Sequence, residues 1–201
     1  MRTKNWKAYV SATMLLAAGL AATGCQQQAP PPAEKPAAPV MDQAAMVKRG
    51  EYLVTISGCN DCHTPFRMGE KGPEPDMARM LSGHPESLKV AAPFKPGKDW
   101  VAAVSGTMTA WSGPWGISYT ANLTPDQNTG LGIWDEAMFI KTMRDGRHMG
   151  NGRPILPPMP WQGIGKMTDE DIKSLFAYLK SIPPVVNRVP DAVINEPPPA
   201  K

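Results

Sequence analysis

Three stretches of the chain carry apolar residues at helical spacing. Between Asp42 and about Ser57, the residues Met46, Gly50, Leu53, Val54 and Ser57 fall on one face, with Asp42 placed as an N-cap and Gly58 as the stop. From Thr168 onward, Ile172, Leu175, Phe176, Leu179 and Ile182 repeat behind Thr168-Asp169-Glu170-Asp171, a capping-box pattern. A shorter helix is predicted from about Asp135 to Asp145, with Ala137, Phe139, Ile140 and Met143 facing inward and Gly146 as C-cap. Glycine weakens a helix interior, so Gly50 implies that another backbone comes close there, and the last helix is the expected partner. The pattern predicts a mainly α fold.

The apolar run from Ala8 to Ala22 is different, because it follows a segment with Arg2, Lys4 and Lys7 and no acid. This is the layout of a signal peptide, and the run is too short for a comfortable membrane span. Ala22-Thr23-Gly24-Cys25 resembles the lipobox of bacterial lipoproteins, in which the Cys becomes the lipidated first residue of the mature chain, although Ala22 stands where Leu is usual. The expectation is a lipoprotein-type signal peptide over residues 1–24, lipidation at Cys25, and a location on the periplasmic side of a bacterial membrane. Residues 26–41 are rich in Pro, Ala and Gln and cannot build a core, so 25–41 reads as a lipidated Cys and a semi-rigid spacer. A folded domain is expected over 42–185, and the Pro-rich stretch that begins near Ile182 ends in a tail over 186–201, wrapped on the surface or mobile.

Composition sharpens this in two ways. The 201 residues include 23 Pro and 18 Gly, and a chain so rich in turns gains from a large apolar cofactor at its centre. The formal charge of +3 belongs to the leader: without Arg2, Lys4 and Lys7, the 21 Lys and Arg fall to 18, equal to the 18 Asp and Glu. No cluster of Lys and Arg with interleaved aromatics occurs elsewhere, so nucleic-acid binding is not expected.

Of the three cysteines, Cys25 belongs to the leader junction, and the other two lie in Cys59-Asn60-Asp61-Cys62-His63, the C-x-x-C-H pattern of c-type haem attachment. Two thiols three positions apart on one turn reach both vinyl groups of a single porphyrin, and His63 then offers its imidazole to the iron. A thioredoxin-like pair would want a βαβ context and has no need of the His. A zinc site would need a second ligand pair, which the sequence does not supply. A plain Cys59–Cys62 disulfide leaves His63 unexplained.

The segments RGEYLVTISGCNDCHTP, TANLTPDQNTGLGIW, LPPMPW and TDEDIKSLFAYLKSIPP, in that order over roughly residues 45–185, resemble the bacterial class I cytochrome c family. The resemblance implies a helical fold around one covalent haem c, with Cys59 and Cys62 as attachment points and His63 and Met159 as iron ligands. Three prolines around Met159 pin an extended loop that can hold a thioether without a helix. Met149 and Met167 are the competing thioethers, and His84 and His148 would be the ligands of a bis-His site. Both histidines sit in polar loops, where a surface position is the ordinary outcome. Arg147, Arg153, Trp134 and Trp161 are candidates for the haem propionates. The departure from the family is length: residues 64–119 form a long insertion with Trp100, Trp111 and Trp115 among many Gly and Pro, expected to be an irregular flap over one haem edge.

The function expected is electron transfer by a membrane-tethered cytochrome, not an enzyme in itself. Its partners would be a donor dehydrogenase or cytochrome complex and an acceptor oxidase or other cytochrome. The alternative is a haem enzyme or gas-binding sensor with an open distal site, sheltered by the insertion. A third reading is a lipoprotein whose haem only stabilises the fold.

Overall fold

The computed structural model describes residues 41–91, 97 and 99–195. The expected signal peptide, Cys25, nearly all of the expected spacer and the end of the tail therefore lie outside the described residues.

The helices follow from their caps and apolar stripes. Helix α1 spans Gln43–Ile56, and the Asp42 carboxylate accepts the Ala45 amide at 2.7 Å. A short helix α2 spans Cys59–His63, entered through Gly58 in the left-handed region at φ 65°. Helix α3 spans Glu136–Asp145, capped by Asp135 and closed by Gly146 at φ 63°. One turn, α4, covers Trp161–Ile164. Helix α5 spans Asp169–Ser181 behind Thr168, whose hydroxyl accepts the Asp171 amide at 3.2 Å. Three carboxylates in its first turn complement the positive end of its dipole.

The core lies where α1, α3 and α5 meet. It contains Leu53 and Val54 of α1, Phe139 and Met143 of α3, and Ile172, Leu175, Phe176 and Leu179 of α5, with Leu81 and Leu131 from the connections. Helices α1 and α5 make the closest helix pair, and Gly50 is their crossing point. One inward assignment fails: Ala137 is exposed, and Thr142 takes the buried place, its hydroxyl returning to the Met138 carbonyl at 2.8 Å. Phe139, Thr142 and Met143 are spaced i, i+3, i+4, so the stripe runs through them, and Ala137, two positions before Phe139, points away.

Among its described residues the insertion contains short strands within an otherwise irregular stretch, where a wholly irregular flap was expected. Strands β1 (Phe66–Gly69) and β2 (Gly72–Pro75) form an antiparallel hairpin. Strands β3 (Ala103–Val104), β4 (Ala110–Gly113), β5 (Gly116–Tyr119) and β6 (Val193–Ile194) form a four-stranded antiparallel sheet in that order. Trp115 stacks over Gly113, where a Cβ would meet its ring at 2.5 Å, whereas Trp100 is exposed. The insertion is tied to the end of α2, to its own first residue and to the segment that follows it by three hydrogen bonds. Gly83 N–H donates to His63 O at 2.8 Å, Leu81 N–H donates to Thr64 Oγ1 at 2.9 Å, and Leu123 N–H donates to Leu81 O at 2.9 Å.

The stretch beyond Ile182 crosses back over this layer. Asn187 is buried, and its amide donates to Ser82 O and His84 O at 2.7 and 2.9 Å while its oxygen accepts from Glu86 N–H at 2.9 Å. Six residues on, the chain supplies β6. The structured part of the chain thus passes the expected boundary at 185.

Candidate functional site

Helix α2 sets the spacing of the candidate site. Its single turn presents Cys59 and Cys62, both free thiols, with His63 at its end. His63 is buried at 8% exposure, and its Nδ1 lies 2.8 Å from the Ala121 carbonyl oxygen. A carbonyl can only accept, so Nδ1 carries the proton and Nε2 keeps its lone pair. Burial holds the imidazole below its ordinary pKa, with the Ala121 hydrogen bond opposing that shift, so the ring is neutral. A neutral imidazole with one nitrogen anchored and the other free is the form that binds a metal.

The thiols lack the lowered pKa of a thiol-exchange pair. Burial pushes Cys59 up to about 11, with Asp61 and Cys62 adding to the rise, and Cys62 is raised by burial and Asp61. A thiol-exchange cysteine is lowered instead, by a dipole or a nearby cation. Nor do the described residues contain a group of three or more His, Cys, Asp or Glu able to hold a zinc ion.

The competing histidines fall away for different reasons. His84 is wholly buried, which corrects the surface position expected for it. Its Nδ1 pairs with Thr109 Oγ1 and its Nε2 with Leu88 O, both at 2.9 Å, and Tyr119 covers its ring at 4.8 Å. Both nitrogens are occupied, so the residue holds the loop together and has no lone pair to offer. His148 is exposed, with its ring edge-on to Trp134 at 5.3 Å.

Met159 and Met167 both lie half-buried against the core, as does Met80. They differ in how their backbones are held. Met167 sits just before the α5 cap, its carbonyl taken by Arg144 at 2.8 Å. Met159 lies in the proline-bounded loop ahead of α4, and that loop is fastened from the sheet: Ser118 Oγ donates to Pro157 O at 2.5 Å. Met149 is half-buried in a tight turn at φ 53°.

The expected propionate partners make local contacts. Arg147 donates to Gly152 O at 3.0 Å and Arg153 to Pro154 O at 3.4 Å, both on the surface. Trp161 covers Gly146. Sequence reasoning missed other groups: the indole N–H of Trp111 and the hydroxyls of Thr120 and Ser82 are buried and make no hydrogen bond. Trp111 pairs with Ser118 across β4 and β5, and Thr120 lies between Ser118 and Ala121. A buried donor without an acceptor is costly, so each of these groups would gain from a bound group that brings acceptor oxygens. No sequence signal marked them, because their burial is set by the folded chain around them.

Paired thiols, a neutral imidazole with a free Nε2, a half-buried thioether and orphaned donors together suit haem. Residues 47–183 match the cytochrome c family. Similar proteins include the gluconate 2-dehydrogenase cytochrome c subunit of Pantoea cypripedii, 32% identical over 78% of this chain and 28% of its own length. Another is the fructose dehydrogenase cytochrome subunit of Gluconobacter japonicus, 29% identical over 66% of this chain and 20% of its own. A third is the cytochrome c subunit of alcohol dehydrogenase (quinone) from Gluconobacter oxydans, 27% identical over 73% and 24% respectively. The chain thus spans less than a third of each of these relatives. The chain belongs to the cytochrome c family, and covalent haem c is its cofactor.

Proposed function

We propose that the chain is an electron carrier serving a dehydrogenase on the periplasmic side of a bacterial membrane. The observation that carries this reading is the His63–Ala121 hydrogen bond, which leaves Nε2 free in a buried, neutral ring. In this reading Cys59 and Cys62 would hold the cofactor by thioether bonds, and His63 and Met159 would ligate its iron. When bound, haem supplies a one-electron couple at iron.

The chain's own residues set how that couple behaves. Ala121 O fixes the His63 ring and makes Nε2 a better donor. The thioether of Met159 is neutral and soft, which favours reduced iron and a raised potential. With two protein ligands in place, the site takes no substrate and moves no proton, which suits a carrier and not a catalytic subunit. The names of the relatives support a dehydrogenase as donor, since several are cytochrome subunits of such enzymes. Lipidation at Cys25, a spacer over 25–41 and a haem domain from residue 42, with residues 186–195 laid back over its sheet, complete the proposal.

The test is expression with a cytochrome c maturation system, followed by absorption spectra of oxidised and reduced protein and a haem stain on a denaturing gel. A covalent low-spin haem is expected, with a sulfur-to-iron band lost in Met159→Ala. An unchanged spectrum in Met159→Ala, or rapid carbon monoxide binding by the reduced wild type, would instead support an open distal site. Cys25→Ala is expected to release the protein from membranes.

A further inference from the structure

The Met159 loop has little means of holding itself. Pro157, Pro158 and Pro160 lack amide hydrogens, so this stretch can be fastened chiefly through its carbonyls. Among the described residues, the hydrogen bond that reaches residues 156–159 from another element is the one from Ser118 Oγ to Pro157 O at 2.5 Å. The Ser118 hydroxyl has one proton and two acceptors within range. Trp111 O stands at 3.5 Å, so the proton goes to Pro157. The hydroxyl oxygen accepts in turn from the Trp115 indole N–H at 3.2 Å, which turns that proton toward the loop.

The same stretch of chain also holds the other ligand. Three residues after Ser118, the Ala121 carbonyl accepts from His63 Nδ1. Extended chain rises about 3.3 Å per residue, so the two fastenings are about 10 Å apart along one segment. That segment is locked from its side by Thr120 N–H donating to Thr109 O and by Thr120 O accepting from His84 N–H, each at 3.0 Å.

We propose that Ser118 is a positioning residue for Met159, and that the segment from Ser118 to Ala121 is a strut that sets both axial ligands. This rests on the reading of Met159 as an axial ligand. Removing the Ser118 hydroxyl frees the loop, so the thioether yields more readily to an external ligand. It also leaves the Pro157 carbonyl without its donor.

The test uses the haem-bearing protein with Ser118→Ala, Ser118→Thr and Met159→Ala, titrating the oxidised form with imidazole and recording the sulfur-to-iron band. Ser118→Ala is expected to bind imidazole several-fold to about tenfold more tightly than wild type, as the loss of one part-buried hydrogen bond implies, with the band weakened. Ser118→Thr, which keeps the hydroxyl, returns both to near wild type. If Met159→Ala removes the band while Ser118→Ala binds imidazole within twofold of wild type, the role of Ser118 is overturned and the ligand stands. If Met159→Ala keeps the band, the ligand assignment fails, and the proposal with it. Should Ser118→Ala take up no haem, Ser118→Val against Ser118→Thr compares two side chains of one shape, and equal imidazole affinities overturn the proposal.

Discussion

A Cβ built on Gly50 would lie 1.9 Å from the carbonyl oxygen of Ser174, so helices α1 and α5 meet backbone to backbone at this point. In an exposed helix, alanine would improve on glycine by about 1 kcal/mol. Here the contact reverses the sign. Gly50→Ala is expected to destabilise the protein by about 2 kcal/mol, since neither backbone can yield without parting the helices. Denaturant unfolding of the haem protein followed by circular dichroism measures this, and an unchanged or raised midpoint would contradict the packing.

Asn187 links the last part of the chain to the insertion with four partners: Ser82 O, His84 O, Glu86 N–H and the Arg79 guanidinium. Asn187→Ala leaves buried donors and acceptors unpaired, and a loss of about 3 kcal/mol is expected. Limited proteolysis should then cut near residues 186–195 in the variant and leave the wild type intact.

The His84 ring is held neutral, its pKa lowered first by burial and further by the Arg79 charge, against the opposing effect of the Leu88 hydrogen bond. Its folded pKa lies below the unfolded value of about 6.5, so the unfolded chain takes up a proton first as pH falls. The stability contributed by neutral His84 is therefore complete above about pH 6.5 and declines below it. Comparing unfolding midpoints at pH 7.5 and 5.5, the wild type is expected to lose more stability than His84→Gln. Equal losses would remove His84 as the cause.

Loss of the attachment points gives a fourth outcome. Cys59→Ala with Cys62→Ala is expected to abolish the haem stain on a denaturing gel. It should also lower the thermal midpoint, because the core loses the large apolar group that it would pack around. Retained covalent haem would move attachment elsewhere.

The helices were legible in the sequence because each carries its own information. Asp42, Asp135 and Thr168 cap, and the stripe in α5 is regular enough to place Ile172, Leu175, Phe176 and Leu179 together. Gly50 marked the crossing and pointed to the last helix as its partner. The strands were not legible, since they are two to four residues long, and β6 pairs with β5 from the far end of the chain. His84 looked like a loop histidine because Thr109 and Leu88 reach it only after the insertion folds. The thiols and His63 were readable from spacing alone. Their supports, the Ala121 carbonyl and the Ser118 hydroxyl, were not, because a backbone oxygen and a strand serine carry no mark of their task.

The pairing of Gly116 and Ile117 with Ile194 and Val193 has a consequence for the order of assembly. The two strands are separated by roughly eighty residues, a long loop to close, while α1 and α2 need only their neighbours in sequence to begin forming. A chain made and delivered from its N-terminus therefore presents both thiols long before the final strand arrives. The sheet that borders the haem motif's segment is thus completed by the last part of the chain to be made.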